Sequence, residues 1–234
     1  MEQLFYAPDI VTIPELPEEE SLHCIRVMRL KTGDPVIITD GKGFFYHAII
    51  ENADPRHCQV SITNQERQKP LWEDYRIHIA VAPTKNIDRM EWFVEKATEI
   101  GINTITFLCC RHSERKDIKL QRLRKTSISA MKQSFKATIP QINEMIAFQN
   151  FISQHHDELR MIATCTDDHR QRIKNIYTPQ QDALILIGPE GDFSHDERMA
   201  ARVAGFAPVS LGESRLRTET AALAACHTIH LLNQ

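Results

Sequence analysis

The sequence predicts an α/β protein in which a small, mostly β region precedes a larger region built on a mainly parallel sheet. Three observations carry this. Short β-branched runs broken by Gly and Asp fill the stretch up to Thr63. Polar Thr63–Pro70 (TNQERQKP) reads as a linker, ending at a proline that disfavours helix before it. Beyond it, apolar runs of strand length alternate with helix-length segments whose apolar residues recur every three and four positions, the pattern of a parallel sheet covered on both faces. The expected domains are therefore residues 1–70 and 71–234.

In chain order, Leu4–Tyr6 fits a short strand, and Pro17–Leu30 a helix with Leu22, Ile25 and Arg29 at helical spacing. Val36–Thr39 is a strand, Asp40-Gly41-Lys42-Gly43 a turn, and Phe44–Ile50 the return strand of a hairpin. Gln59–Thr63 is a further strand. Arg76–Ala82 opens the second region as a strand. Asn86–Ile100 follows as a helix: Ile87, Met90, Val94, Ala97 and Ile100 form one face, and Gly101 suits its C-terminal cap. Thr104–Leu108, Leu159–Thr164, Ala183–Ile187 and Pro208–Leu211 read as strands. Lys119–Lys136 reads as a helix with Leu120, Leu123, Ser127 and Met131 on one face, and Ser194–Ala204 and Thr218–Leu232 read as two more.

Composition narrows the function classes. A chain of 234 residues holds one large domain, or one with a small companion. No apolar run approaches the roughly 20 residues that span a bilayer. The N-terminal MEQLFYAPDI lacks the basic and apolar regions of a secretory signal, so the expected location is cytoplasmic. Six cysteines (Cys24, Cys58, Cys109, Cys110, Cys165, Cys226) form no CxxC pair, which fits buried apolar side chains and no metal site. A net charge of −3 argues against binding nucleic acid through bulk charge. Arg111–Ser127 nevertheless carries seven basic and two acidic residues, which suits either a phosphate track or the solvated face of a helix.

Two stretches carry chemistry. In LILIGPEGDFS, a buried strand runs into Gly188-Pro189-Glu190-Gly191, and Ser194 with Glu197 offers a capping box. Ligands of open parallel sheets bind outside the carboxyl ends of strands, and glycines there let backbone approach a ligand. An ordinary strand-to-helix turn has the same look. In VSLGESRLRTETAALAA, a strand ends at Leu211-Gly212, and a loop with Arg215 and Arg217 leads to a helix start where Thr218 can cap and Glu219 suits the dipole. The alanines thin that helix so that another backbone can approach. A capped core helix explains these features but not the two arginines.

Together, IGPEGDFS and LGESRLRTETAA resemble the RsmE family, the 16S ribosomal RNA uracil-N3 methyltransferases of the SPOUT superfamily, whose pattern is close to IGPEGG(F/L)S and LG-x-R-(I/V)-LRTETA. His23–Leu30, Lys85–Gly101 and Met131–Pro140 are also family-like, so the resemblance spans nearly the whole chain. The chain departs from the pattern at Asp192, where Gly is common, at Ser214-Arg215-Leu216, and at Lys132-Gln133-Ser134-Phe135-Lys136, where relatives have E-Q-S-x-R.

The resemblance implies a PUA-like β-barrel that binds RNA, followed by a SPOUT domain with a trefoil knot. It implies S-adenosylmethionine as cofactor, held by Leu186, Ile187, Gly188, Pro189, Glu190, Gly191, Leu211, Gly212, Leu216, Arg217, Thr218 and Thr220. It further implies a homodimer, with the last helix and Asn86–Ile100 as candidate interface, no metal, and as substrate a uridine (position 1498) of 16S rRNA in the small ribosomal subunit. Neutral uracil N3 must lose its proton before attack, placing charge on O2 and O4 that a fixed cation stabilises. Arg217 is the first candidate, followed by Arg89 and Arg111; Glu190, Glu219 and His195 are candidate bases. Arg26, Arg29, Lys85, Arg89 and Arg111 are candidate RNA contacts. A SPOUT enzyme acting on ribose or a tRNA base, or a non-catalytic RNA-binding assembly protein, fits the same loops.

Overall fold

A computed structural model describes residues 3–68, 74–166 and 170–234. The chain divides into two compact units, the first comprising residues 1–70 and 128–139, the second 71–127 and 140–234. The return of Ile128–Ile139 to the first unit has no counterpart in the linear pattern of the sequence.

In the first unit, β1 (Leu4–Tyr6), β2 (Pro35–Thr39), β3 (Phe44–Asn52) and β4 (Gln59–Arg67) form one sheet in that order. The pairing is parallel between β1 and β2 and antiparallel elsewhere. Asp40 builds the β2–β3 turn: its Oδ1 accepts from the Lys42 amide at 2.7 Å, and Oδ2 from the Tyr46 hydroxyl at 3.1 Å. Two sequence expectations fail here. Thr63–Arg67 is not linker but the outer half of β4, paired with β3. It reads as linker because it is exposed on both faces and so carries no apolar alternation; Lys69 and Pro70 lie outside the described residues. The expected helix over Pro17–Leu30 is only α1 (Glu18–Leu22), continued by a π-turn over His23–Val27. The helical path stops because Arg29 takes φ +58°. The buried positions are Ser21 and Cys24, while Leu22 is exposed.

The second unit is a seven-stranded sheet. Its strands are β5 (Ile77–Val81), β6 (Thr104–Cys109), β7 (Gln141–Ala147), β8 (Leu159–Ala163), β9 (Gln171–Arg172), β10 (Ala183–Ile187) and β11 (Ala207–Ser210), in the order β7-β6-β5-β10-β8-β11-β9. Every neighbouring pair is parallel. The helices are α2 (Ile87–Ile100), α3 (Leu120–Gln133), whose second half counts with the first unit, α4 (Phe148–Ile152), α5 (His195–Val203) and α6 (Thr218–Leu232). Alternation along β10 sends Ile185 and Ile187 to the face shared with Met90, Ala222 and Ala225, and Leu184 and Leu186 to the face shared with Phe148, Phe193 and Ala201. Helix α2 starts where the Asn86 side chain accepts from the Asp88 amide at 3.0 Å and stops at Gly101, φ +117°. Ser194 and Glu197 close the expected capping box on α5. Ala222 and Ala225 are buried in the chain's own core, and the close approach they allow is made by α2 of the same chain. No helix of the described residues is long and apolar enough to cross a membrane.

Candidate functional site

At the carboxyl ends of the adjacent strands β10, β8 and β11 the second unit opens into a cleft of about 780 Å³, within the range of small-molecule sites. Three loops wall it. Two are those the sequence marks, after β10 (Gly188–Asp192) and before α6 (Leu211–Arg217). The third, Thr164–Thr166 after β8, was not singled out from sequence. Its only available sign was position: every strand of a parallel sheet ends on this edge. Among the predicted cofactor residues, Ile187, Gly188, Pro189, Glu190, Gly191, Leu211, Gly212, Leu216, Arg217 and Thr218 all line the cleft. Leu186 and Thr220 are not among its described lining residues; the Leu186 side chain lies in the core on the opposite sheet face.

The loops are shaped by three local constraints. Gly188 is a space requirement: a Cβ there would sit 3.1 Å from the Phe193 ring and 3.2 Å from the Phe193 amide. Gly212 is a conformational one, with φ +128° and nothing within 4 Å of the place a Cβ would occupy. The Ser210 hydroxyl donates to the Gly212 carbonyl at 3.0 Å and accepts from its amide at 3.3 Å, closing that turn. Thr218 corrects the sequence reading. It caps nothing: the N-cap of α6 is Arg217, with no side-chain cap bond. The Thr218 hydroxyl instead donates to the Gly188 carbonyl at 3.1 Å and ties the two marked loops together.

Charge in the cleft is mixed. Arg89, Arg170, Arg215 and Arg217 line it beside Glu190, Asp192 and Glu213. Glu190 is exposed, and its Oε1 accepts from the Lys85 amide at 3.1 Å. Glu219 is buried on the first turn of α6, 3.8 Å from the Arg89 guanidinium, and its Oε2 has no hydrogen-bond partner among the described residues. His195 is exposed on α5 and is not among the described lining residues. Cys165, expected to be a buried apolar side chain, is exposed and lines the cleft, whereas Cys24, Cys58, Cys110 and Cys226 are buried. Burial pushes the Cys226 thiol up to about 12.

The remaining predicted contacts are not among the described lining residues of the cleft. The Arg111 guanidinium pairs with Asp196 at 3.2 Å, while the Arg111 amide donates to the buried Glu197 at 2.7 Å. Lys85 pairs with Glu114 at 3.0 Å. Arg26 and Arg29 are exposed in the first unit. Much of the basic run Arg111–Ser127 is used internally. Arg115 donates to the carbonyls of Thr84 and Lys85, and Arg122 pairs with Asp88 and Glu91. The stretch is thus more a set of structural ties than a free phosphate track.

The family model described as an RNA methyltransferase domain matches residues 72–230, and that of an RNA methyltransferase PUA domain matches residues 16–63. The ribosomal RNA small subunit methyltransferase E of Rickettsia conorii is 29% identical over 222 residues, covering 93% of this chain and 89% of the relative. Its namesake from Bacillus subtilis is 28% identical, covering 90% and 87%. The crystal structure of a probable rRNA-methyltransferase from Porphyromonas gingivalis superposes with a TM-score of 0.94 at 50% identity, covering 99% of this chain and 98% of the other. A structure from Legionella pneumophila in complex with bound SAM superposes at 0.87 with 26% identity, covering 99% and 98%. With the RNA methyltransferase model matching well over half of its length, the chain belongs to the family of RNA methyltransferases that includes the ribosomal RNA small subunit methyltransferases E.

Proposed function

We propose that this protein transfers a methyl group from S-adenosylmethionine to N3 of a uridine in 16S rRNA. The observation that carries the reading is the three-loop cleft at the strand ends, whose lining includes Arg89 and Arg217 together with the glycine loop. The cleft fits the cofactor. Ile187, Val209, Leu211 and Ala221 offer apolar surface to an adenosyl group, Gly188 and Gly212 keep backbone close, and the acids Glu190 and Glu213 suit a cationic ligand. Bound S-adenosylmethionine supplies a methyl on a positive sulfur, already activated for transfer.

The protein's own task is alignment and charge. Arg217, exposed at the N-cap of α6, stabilises the negative charge that spreads onto O2 and O4 as N3 loses its proton. Of the two candidate glutamates, Glu190 on the cleft wall is the one placed to accept that proton. Glu219 reaches the cleft only through Arg89 and therefore orients it. In this reading residues 1–70, completed by 128–139, form the PUA-like RNA-binding domain, with Arg26 and Arg29 as phosphate contacts, and 71–127 with 140–234 form the SPOUT domain, with Lys85 and Arg111 as further RNA contacts. The trefoil knot, homodimer and cytoplasmic location of the resembled family belong to the same proposal.

The test is methyl transfer from labelled cofactor to small ribosomal subunits lacking the modification, followed by nucleoside analysis. Label in 3-methyluridine supports the proposal. Label in a ribose-methylated nucleoside, or no transfer at all, refutes it.

A further inference from the structure

We infer that Asp192 is a positioning residue that holds the loop after β8 against the loop after β10, and so sets the third wall of the cleft. The inference rests on the cofactor reading above. Asp192 stands where the resembled pattern has Gly. Its backbone explains that preference: φ is +60°, a region that glycine adopts freely and that Asp, among L residues, tolerates better than most. A residue that keeps a side chain at such a position needs a use for it, and here the carboxylate has one.

Asp192 Oδ2 accepts from the Cys165 amide at 3.1 Å and from the Thr164 hydroxyl at 3.4 Å; Oδ1 accepts from the Phe193 amide at 2.7 Å. The backbone of Asp192 is fixed as well. Its amide donates to the Pro189 carbonyl at 2.9 Å, and its carbonyl lies 3.1 Å from His112 Nδ1. Thr164 carries the link onward, with its amide donating to the Val209 carbonyl at 3.2 Å and its hydroxyl accepting from the Thr166 amide at 3.4 Å. The carboxylate thus connects the loops after β10 and β8, and the Thr164 backbone continues the link to β11, the next strand in the sheet. Bonds from backbone N–H groups to a carboxylate are charge-assisted and stronger than neutral ones. Glycine at 192 would keep the backbone path and lose every one of these side-chain bonds. The Thr164–Thr166 wall would then lack its anchor, and the ligand would have to order it on binding.

The test uses the full chain, wild type, Asp192→Gly and Asp192→Asn, with two readouts. Hydrogen–deuterium exchange of the peptide covering Ala163–Thr166, without ligand, reads the clasp itself. Calorimetric S-adenosylmethionine affinity, with kcat at saturating cofactor, reads its consequence. Asp192→Gly is expected to speed exchange in that peptide about tenfold and to raise Kd about tenfold, the effect of losing one hydrogen bond to a charged group. Its kcat stays within about twofold of wild type, as for an interaction made equally before and during the reaction. Asp192→Asn falls between, because one amide oxygen cannot serve both bonded sides. Unchanged exchange in Asp192→Gly overturns the clasp. Faster exchange with unchanged Kd, or a fall in kcat with Kd unchanged, overturns the positioning role. Absence of binding by the wild type overturns the cofactor reading and the positioning role with it, while the exchange arm still reads the clasp.

Discussion

Among the described residues, the hydroxyl of Thr218 makes the only side-chain bond between the two sequence-marked loops, so Thr218→Val is an informative perturbation. Thr218 is 5% exposed, and valine keeps its shape and volume, so no cavity opens. What goes is one neutral hydrogen bond, about 1 kcal/mol net, plus part of the roughly 1–3 kcal/mol cost of a carbonyl left without its donor, reduced because the Gly188 end is half-buried and water reaches it. The sum is about 1–2 kcal/mol. For a domain of this size that lowers Tm by about 2–8 °C. Differential scanning calorimetry of wild type, Thr218→Val and Thr218→Ser measures it. Serine keeps the hydroxyl but gives up a buried methyl, about 1 kcal/mol, so it is expected to melt below wild type while keeping cofactor affinity near wild type. With the loops untied, affinity for S-adenosylmethionine should also drop by about fivefold to tenfold. A Thr218→Val protein that melts within about 1 °C of wild type and binds cofactor equally well refutes the reasoning that this bond couples the loops.

Four further outcomes are expected. Arg217→Ala should cut turnover by about a hundredfold or more while leaving cofactor binding measurable, the signature of charge stabilised in the transition state; near-normal single-turnover rates would remove Arg217 from the catalytic set. Gly212→Ala meets no atom within 4 Å, so its cost is backbone strain alone, about 1–3 kcal/mol by chemical denaturation, and an unshifted midpoint would contradict the φ of +128°. Cys165, exposed on the cleft wall, should react with a thiol reagent while buried Cys24, Cys58, Cys110 and Cys226 do not, and cofactor should slow its labelling by about tenfold; mass spectrometry of labelled peptides showing no protection would place the ligand elsewhere. The His78 ring beside Glu158 holds that carboxyl down to about 2 from 4.5. A depressed carboxyl stabilises the fold fully above about pH 4.5 and loses that contribution as pH falls towards 2. Glu158→Gln should therefore be less stable than wild type in urea at about pH 7, with the gap closing below pH 4.5; a gap independent of pH would exclude the bond from His78 to the Glu158 carboxylate as its cause.

What was legible in the sequence was whatever chemistry acts locally. Asn86 and Gly101 bracket α2, Ser194 and Glu197 open α5, and Asp40 turns the first hairpin, each through bonds spanning a few residues. The strand β10 was legible from its unbroken apolar run, and the two marked loops became legible as a site only when both motifs were taken together. Several of the errors share one origin: partners distant in sequence. Thr218 looks like a cap until Gly188, thirty residues earlier, is beside it. Thr63–Arg67 looks like linker because only β3 gives its backbone a reason to be extended. The Cys165 wall has no motif of its own and is defined by Asp192. Strand β7, missed altogether, has a single fully buried position, Ile142, among its seven residues, too few to mark a period.

The first unit is discontinuous along the chain, and this governs the order in which it can be completed. Leu4 and Phe45 are covered by Ala137 and Phe135, and the Gly41–Gly43 turn is bonded to the carbonyl of Ala137 and the amide of Ile139. A nascent chain emerging N-terminus first therefore has to expose that apolar patch until residue 139 has left the ribosome, by which time β5, α2, β6 and α3 have already been made. Neither unit can be liberated by a single cut, so the two are one heritable block: a gene fragment ending at residue 70 encodes a sheet without its cover, and a second-unit fragment starting there carries a segment whose packing partners have been left behind.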